Sequence, residues 1–296
     1  MPPSLQTPEA NGAPARKSVF ITGASTGIGA ASAAWLAKRG WRVFAGVRNS
    51  SDGDRLREAY EDRIEPVLID LRDGTSIEGA AGAVAERLKG GGLHGLINNA
   101  GVTVTGPMEC IPLPELRGQI EVNFTGQVAV TQAFLPLIRA GQGRIVNMSS
   151  IFGRIASPFV GPYHASKYAL EAFNDTLRME LRPWGIHVVC IEPGNVATPI
   201  WSKASSGAKQ ASEALTGDAR TLYGERYANF AKSTMEIGRQ GVAPERVART
   251  AARALEARKP RPRYLVGWDA RLLLAASWVL PARWMDAAVI KLAIKS

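Results

Sequence analysis

Short apolar runs alternate with longer mixed stretches along most of the chain. Seven of the runs predict β-strands, because each is rich in Val, Ile or Phe and is bounded by Gly, Pro or polar residues. The stretches between them are rich in helix formers, as in the Ala-rich segment that ends at Gly40. This alternation predicts an α/β fold, with a doubly wound parallel sheet in a single domain. The predicted strands are 18–22, 42–47, 65–70, 93–98, 144–149, 186–192 and 263–266.

The two ends of the chain depart from this pattern. Residues 1–16 contain Pro, Ala and Ser without an apolar block, so we expect a disordered leader that is not a secretory signal. A cytoplasmic location is therefore expected. Residues 17–270 would form the α/β domain, and residues 271–296 would form an apolar and basic C-terminal helical extension.

Positive charge is concentrated towards the C-terminus. The chain has a net charge of +10, and residues 258–296 carry eight Lys or Arg against Asp269 and Asp286, which accounts for +6. The apolar run 272–280 ends at Pro281 and is well short of the ~20 residues that cross a bilayer. Peripheral membrane contact, closure of a substrate pocket and packing against another subunit all stay open for this tail.

Cysteine and histidine give no sign of a disulfide framework or a metal site. The two cysteines, Cys110 and Cys190, are too few for a framework and are interpreted as structural thiols. The three histidines, His94, His164 and His187, are scattered without metal-ligand spacing. We therefore expect no metal.

Tyr163 and Lys167 are the first candidates for chemistry. They are four residues apart, which places both side chains on one face of a helix. A phenol titrates near ~10, but a neighbouring cation favours the phenolate and lowers the pKa towards the neutral range. Such a tyrosine can exchange a proton with an alcohol or a ketone. The same spacing also occurs by chance on many helices.

A glycine-rich run near the N-terminus is the second candidate. The apolar run 19–21 leads into Thr22-Gly23-Ala24-Ser25-Thr26-Gly27-Ile28-Gly29, which predicts a strand, a tight turn and a helix. Such a turn lets the backbone approach a pyrophosphate, and the helix N-terminus supplies free N–H groups. The spacing Gly-x-x-x-Gly-x-Gly differs from the broader Gly-x-Gly-x-x-Gly fingerprint, so this motif alone also allows an ordinary turn.

Together with further motifs, these features resemble the short-chain dehydrogenase/reductase family. The motifs are Asn98-Asn99-Ala100-Gly101 after a strand, Asn123 in a helix, and Ser150 thirteen residues before Tyr163. The Pro193-Gly194 step, followed by Val196 and Thr198, fits the family's loop beside the nicotinamide. The matching segments run from about residue 17 to 200. The resemblance implies a Rossmann-type fold and an oxidoreductase that interconverts a hydroxyl and a carbonyl.

The resemblance assigns the chemistry to Asn123, Ser150, Tyr163 and Lys167. Tyr163 would be the general acid and base, while Lys167 would lower its pKa and hold the hydroxyls of the nicotinamide ribose. Ser150, preferred over Ser149 for its spacing, would orient and polarise the substrate oxygen, and Asn123 would fix a water beside the lysine. Hydride transfer to a carbonyl creates an alkoxide that needs a proton and a hydrogen-bond donor in the same step.

The resemblance also implies the cofactor contacts. Val47 stands where members that prefer NAD usually carry Asp, and Arg48 follows it, where it can pair with a 2′-phosphate. NADP(H) is therefore favoured and NAD(H) is possible, since Thr26 stands where many NADP-preferring members have a basic residue. Asp70 would contact the adenine amino group. The expected cofactor-binding residues are Gly23, Ser25, Thr26, Gly27, Ile28, Gly29, Arg48, Asp70, Leu71, Asn99, Ala100, Gly101, Tyr163, Lys167, Pro193, Gly194, Val196 and Thr198.

The segment from about 198 to 241 corresponds to the family's substrate lid. A lid with its apolar residues favours a bulky hydrophobic alcohol or ketone, of steroid, retinoid, terpenoid or aromatic type, although these residues could instead pack on the core. The second strand and the run Pro262-Arg263-Tyr264-Leu265-Val266-Gly267 also resemble steroid- and retinoid-type members. The apolar lid residues are Trp201, Leu215, Tyr223, Tyr227, Phe230 and Met235.

Two other functions stay open at this point. One is an NAD-dependent alcohol dehydrogenase of the same fold, and the other is a regulator that senses a dinucleotide without chemistry. The complete set of four candidate catalytic residues argues against the regulator, since a sensor needs no proton relay. No nucleic acid partner is expected, and a homo-oligomer, either a dimer or a tetramer, is expected by analogy with the family.

Overall fold

The computed structural model describes residues 16–60 and 63–294. Apart from Arg16, the expected N-terminal leader lies outside the described residues. Seven parallel strands form one sheet, as predicted. They are β1 (Ser18–Ile21), β2 (Arg42–Val47), β3 (Ile64–Leu68), β4 (Gly95–Asn98), β5 (Arg144–Met148), β6 (His187–Pro193) and β7 (Arg263–Val266).

Helices cover both faces of this sheet. In the described part of the chain they are α1 (Gly27–Lys38), α2 (Ser50–Tyr60), α3 (Gly74–Leu88), α4 (Leu113–Ile120), α5 (Gly126–Ala140), α6 (Gly161–Glu180), α7 (Pro199–Ala214), α8 (Gly217–Arg239), α9 (Pro244–Glu256), α10 (Trp268–Val279) and α11 (Ala282–Ala293).

The strand order is β3-β2-β1-β4-β5-β6-β7, with all neighbours parallel. The chain therefore adds β2 and β3 on one side of β1. It then crosses to the other side of β1, where it adds β4 to β7 in sequence order. In a sheet of this type a crevice opens at the carboxyl ends of the strands where the direction reverses, and ligands bind there. This Rossmann-type arrangement confirms the predicted fold.

Alternate residues of each strand supply two separate cores. In β1, Val19 and Ile21 pack with residues of α1 and α9 on one face, whereas Phe20 stacks on Phe134 of α5 on the other. Successive side chains of a strand point to opposite faces, so a strand buried on both sides is apolar throughout. This requirement explains the unbroken apolar runs in the sequence.

The segment between β6 and β7 contains the expected lid. Helices α7 and α8 pack against each other, and Tyr227 of α8 is fully buried. The hydroxyl of Tyr227 donates a 2.8 Å hydrogen bond to the carbonyl oxygen of Thr105, which ties α8 to the loop after β4. Phe230 and Leu215 are buried in the same cluster. These apolar lid residues therefore pack on the body of the protein, which was one of the two expectations for them.

Helices α10 and α11 form the C-terminal part of the described chain, and α10 begins at Trp268, three residues before the start of the predicted extension. Ala270 and Leu274 of α10 pack with Met285 and Val289 of α11 against the loop at Ile151. Among the described residues no helix has both the length and the apolar character needed to cross a membrane.

Candidate active site

A cavity of about 390 Å³ lies at the carboxyl ends of the strands. It extends across the point where the strand order reverses, so loops that follow β1, β2, β3, β4, β5 and β6 all contribute to its wall. Of the residues predicted from the sequence, those that line it are Gly23, Ser25, Thr26, Gly27, Ile28, Arg48, Asp70, Leu71, Asn99, Ala100, Gly101, Ser150, Tyr163, Lys167, Pro193, Gly194, Val196 and Thr198.

The glycine-rich turn leaves the N-terminus of α1 open towards this cavity. Thr26 is the N-cap residue, but its side chain makes no capping hydrogen bond, and the first turn contains no acidic residue. The first N–H groups of α1 therefore remain available, together with the positive end of the helix dipole. Gly27 has φ +57°, a conformation that favours glycine. This cradle fits the pyrophosphate of a dinucleotide.

Gly29 packs against the back of the turn, and its predicted contact with the cofactor stays a prediction. It does not line the cavity, and a Cβ atom at this position would overlap the Gly23 carbonyl oxygen and lie 2.6 Å from Asn99 Nδ2. The absence of a side chain lets α1 approach the turn closely. Gly29 therefore shapes the cradle from behind.

Asn99 connects the turn to the neighbouring strand. Its Nδ2 atom donates hydrogen bonds to the carbonyl oxygens of Thr22 at 3.0 Å and Gly23 at 3.1 Å. The backbone N–H groups of Asn99 and Ala100 donate to Thr22 Oγ1 at 2.9 and 3.0 Å. These bonds hold the ends of β1 and β4 together at the cavity floor.

The end of the cavity beside β2 and β3 contains both positive and negative groups. Arg48 is exposed and forms no ion pair with another described residue. Asp70 accepts hydrogen bonds from the guanidinium of Arg72 at 3.0 and 2.6 Å, and this contact is the main reason why its pKa falls to about 2. Asp52, which the sequence reasoning did not include, also lines the cavity and is paired with Arg55. Among the described residues of this region, Asp70 and Asp52 are each paired with an arginine, while Arg48 forms no ion pair and acts on Asp70 only through its charge.

Tyr163, Lys167 and Ser150 meet at the opposite end of the cavity. Tyr163 and Lys167 lie on one face of α6, with the lysine Nζ 5.6 Å from the centre of the tyrosine ring. Lys167 Nζ donates a 2.7 Å hydrogen bond to the carbonyl oxygen of Met148 at the end of β5. Ser150 accepts from the N–H of Phe152 at 3.2 Å and also hydrogen-bonds to Tyr163.

The pKa values of this pair differ from the expectation. Burial raises the pKa of Tyr163 to about 12, and the hydrogen bond with Ser150 opposes this shift only in part. Burial also lowers the pKa of Lys167 to about 8. The predicted shift of the tyrosine towards neutrality is therefore wrong for the protein alone, because the loss of hydration outweighs the neighbouring cation. At neutral pH the tyrosine is a phenol that can donate a proton.

Asn123 lies behind the site and not in its wall. It is fully buried in a π-helical turn, Glu121–Thr125, between α4 and α5. Its Oδ1 accepts from the N–H of Val102 at 2.8 Å, and its Nδ2 donates to Val102 O at 2.9 Å and Ser166 Oγ at 3.1 Å. The side chain is thus occupied by protein partners, and a role for Asn123 in holding a water stays a prediction. Single π-turns of this kind often occur at functional sites.

Apolar side chains surround the tyrosine end of the cavity. The ring of Phe152 meets that of Tyr163 edge to face, with centroids 6.5 Å apart. Tyr163 also packs against the buried lid cluster around Phe159 and Tyr227. Of the six apolar lid residues named from the sequence, only Trp201 lines the cavity. Apolar residues that line the cavity and were not predicted include Val102, Val122, Phe152 and Ile200.

Comparison with known proteins agrees with this geometry. A family model described as "short chain dehydrogenase" matches residues 17–209, which include β1 to β6 and every described residue that lines the cavity. The chain belongs to the short-chain dehydrogenase/reductase family.

Several curated members of the family are similar over nearly the whole chain. An NADPH-dependent 3-dehydrocapnine reductase from Ornithobacterium rhinotracheale is 37% identical, with 90% of this chain and 93% of the relative covered. Retinol dehydrogenase 16 from Mus musculus is 38% identical, with 92% of this chain and 87% of the relative covered. A 17-beta-hydroxysteroid dehydrogenase type 6 from Bos taurus is also 38% identical, with 91% of this chain and 86% of the relative covered.

Solved structures give the same family assignment. A short-chain dehydrogenase from Streptomyces avermitilis superposes with a TM-score of 0.76 at 30% identity, covering 90% of this chain and 93% of that chain. As a member of the short-chain dehydrogenase/reductase family, the protein is an oxidoreductase that acts on CH–OH and C=O groups with a nicotinamide dinucleotide. The open N-terminus of α1 and the cavity described above fit such a cofactor.

Proposed function

We propose that the protein is an NADP(H)-dependent oxidoreductase that interconverts a hydroxyl and a carbonyl on a hydrophobic substrate. The observation that carries this proposal is the meeting of Tyr163, Lys167 and Ser150 at the apolar end of the same cavity that begins at the glycine-rich cradle. A cofactor placed along the cavity would have its reactive end beside these three side chains and its phosphates at α1.

Each of the three side chains has a definite task in this proposal. When bound, the nicotinamide supplies or accepts the hydride. In reduction, the Tyr163 hydroxyl gives its proton to the oxygen of the substrate, and Ser150 donates a hydrogen bond to the same oxygen as it gains negative charge. Lys167 holds the ribose hydroxyls and keeps a positive charge near the phenol while that proton leaves.

The cofactor preference follows from Arg48. Its guanidinium is free of ion pairs with described residues and lies at the cavity end where an adenosine ribose would lie, so it can bind a 2′-phosphate. The NADPH dependence of the 3-dehydrocapnine reductase relative supports this choice. Asp52 acts in the other direction because a carboxylate repels a phosphate, although its pairing with Arg55 weakens this effect. NAD(H) is therefore the alternative cofactor.

The substrate class follows from the apolar wall around Tyr163. Phe152, whose ring meets that of Tyr163, and the cavity-lining residues Ile200 and Trp201 offer no charge to bind a small ionic substrate. Relatives named for retinol and for hydroxysteroids support a bulky lipophilic alcohol or ketone, of retinoid, steroid, terpenoid or aromatic type. Such a substrate would lie between α7 and the loop at Phe152.

A peripheral contact with a lipid surface is part of this proposal. The outward face of α10 presents Trp268, Leu272 and Val279, which recur at helical spacing. Asp269 of α10 is turned inward and accepts a 2.7 Å hydrogen bond from the N–H of Asn195. The exposed charged residues of α10 and α11 in the described chain are then Arg271, Arg283 and Lys291 against Asp286, a net positive surface. Exposed tryptophans beside basic residues are typical of helices that lie on a membrane. Further exposed residues of α10 and α11 are Arg271, Trp278, Arg283, Trp284, Lys291 and Leu292.

A homo-oligomer, either a dimer or a tetramer, is proposed by analogy with the family alone. Size-exclusion chromatography with light scattering would measure the mass in solution. A monomer at micromolar concentration would contradict this part of the proposal.

The reaction is tested by absorbance at the reduced-nicotinamide band. Purified protein is mixed with NADPH or NADH and a panel of lipophilic ketones, or with the oxidised cofactors and the corresponding alcohols. Turnover that is faster with NADPH and is lost in the Tyr163→Phe variant would support the proposal. Cofactor binding without turnover of any panel member would favour a dinucleotide sensor.

A further inference from the structure

A second group of titratable side chains lies directly behind Lys167. Glu171 is one helical turn further along α6, and its Oε1 accepts a 3.1 Å hydrogen bond from the Cys190 thiol on β6. Its Oε2 contacts the Nε of Arg263 at 3.1 Å, and the same nitrogen lies 3.1 Å from Glu192 Oε1. Glu171, Cys190 and Glu192 are all buried. None of these residues lines the cavity.

Lys167 needs a counter-charge that its direct contacts do not supply. Its Nζ hydrogen bond goes to the neutral carbonyl oxygen of Met148, and its side chain is almost fully buried. An ammonium group in such surroundings loses its proton readily unless a negative group lies nearby. Other titratable groups near Lys167 are Tyr163 on the same helix, Cys190 and Glu192 on β6, Arg263 on β7, and Arg154, which pairs with Glu192.

Most of these groups cannot supply that charge at neutral pH. Burial raises the pKa values of Tyr163 and Cys190, so the phenol and the thiol both stay protonated. Burial and the negative charge of Glu171 raise the pKa of Glu192, which disfavours its carboxylate form. Arg263 divides its guanidinium among Glu171, Asp175 and Glu192 and therefore does not neutralise Glu171 alone.

We propose that Glu171 is a positioning residue for Lys167, and that its buried carboxylate is the counter-charge that keeps the lysine protonated beside Tyr163. The Cys190 thiol and Arg263 hold this carboxylate in place from β6 and β7. The proposal rests on the function proposed above, because a charged lysine is useful there for holding ribose hydroxyls and supporting the phenol. The charge on Lys167 can nevertheless be measured without any turnover.

The test is the pH dependence of carbamylation at Lys167 by cyanate, followed by peptide mass spectrometry. Cyanate reacts with the neutral amine. The carbamylation rate at a pH below the pKa of Lys167 therefore reports how easily the lysine loses its proton. Removal of a buried charge one helical turn away shifts a pKa by about one unit, from about 8 towards 7 for Lys167, so Glu171→Gln should raise the carbamylation rate at pH 7 about fivefold. Glu171→Asp, which keeps a more distant charge, should give an intermediate rate.

Asp175→Asn is the matched control. Asp175 also lies on α6 and contacts Arg263 at 2.6 Å, but it is two turns from Lys167. This variant should change the rate less than twofold. An unchanged rate in Glu171→Gln, or an equal increase in Asp175→Asn, would overturn the proposal. If Glu171→Gln does not fold, as judged by circular dichroism, an unchanged rate in Glu171→Asp overturns it equally.

Discussion

The Nζ atom of Lys167 lies 5.6 Å from the centre of the Tyr163 ring, yet the two side chains are held by different neighbours. The lysine is bonded to the carbonyl oxygen of Met148 on β5, and the tyrosine is bonded to Ser150. Because neither side chain depends on the other for its position, each can be replaced while the other stays in place. Substitutions at the two positions should therefore separate proton transfer from cofactor binding.

Tyr163→Phe removes the hydroxyl and keeps the ring that packs against Phe152. General acid catalysis contributes ~10²- to 10⁴-fold, so we predict that turnover falls by at least about a hundredfold. The dissociation constant for NADPH should change less than about twofold, since the cradle at α1 is untouched. Turnover by reduced-nicotinamide absorbance and binding by NADPH fluorescence would check both parts. Activity close to that of the wild type would remove the proposed role of Tyr163.

Lys167→Met tests the cost of burying the amine. Burial lowers the pKa of Lys167 from 10.5 to about 8, so the unfolded state binds more protons than the folded state between these values. Wild-type stability is therefore reduced at pH 7, and this loss disappears as the pH rises from about 8 to 10.5. We predict that the wild type gains stability relative to Lys167→Met between pH 7 and pH 10, because the variant has no amine to titrate. Urea denaturation of both proteins at the two pH values measures this, and a wild type that loses stability relative to the variant over this range would contradict it.

Arg48→Asp should exchange the cofactor preference. The change removes the cation proposed to pair with the 2′-phosphate and provides a carboxylate for the ribose hydroxyls. A hydrogen bond to a charged group contributes about 1.5–3 kcal/mol, so the ratio of kcat/KM for NADPH to that for NADH should fall about tenfold or more. Asp52→Asn is the companion variant and should raise the same ratio. If the ratio is unchanged in Arg48→Asp, Arg48 does not bind the phosphate.

The proposed membrane contact is tested by sedimentation with lipid vesicles. Burying a large apolar side chain contributes about 1.5–3 kcal/mol, so replacing both Trp278 and Trp284 by Ser should weaken binding to vesicles that contain anionic lipid by at least about tenfold. Trp184→Ser is the matched control, because Trp184 is similarly exposed but lies away from α10 and α11. Equal binding by all variants, or no binding by the wild type, would contradict the contact.

Much of the fold could be predicted because a parallel sheet leaves unbroken apolar runs in the sequence. Tyr163 and Lys167 could be paired because helical spacing places them on one face of a helix, and Ser150 could be named because its offset from Tyr163 resembles that of the family. The position of Asn123 could not be predicted, since its side chain is turned inward by a π-helical turn that no residue pattern revealed. The pKa of Tyr163 was also missed, because burial depends on residues such as Phe152 that come close only in the folded chain.

Asp52, at the other end of the cavity, is a second residue whose place in the site could not be predicted from the sequence. It is the third residue of α2, and a sequence reading that stopped at the end of β2 passed over it. Only the folded chain shows that its carboxylate lines the cavity beside Arg48. The proposed cofactor preference therefore involves Asp52 as well as Arg48, and only Arg48 belongs to the motif at the end of β2.

The central claim is that hydride passes between the nicotinamide and a hydrophobic carbonyl while Tyr163 supplies the proton. The most direct measurement uses NADPH that carries deuterium at one or the other C4 position, with a lipophilic ketone that the protein reduces and mass spectrometry of the alcohol. The account predicts that one of the two labelled cofactors transfers deuterium to the carbinol carbon in the wild type and that neither does so at a comparable rate in Tyr163→Phe. Alcohol without deuterium from either cofactor, or equal transfer by the variant, would contradict it.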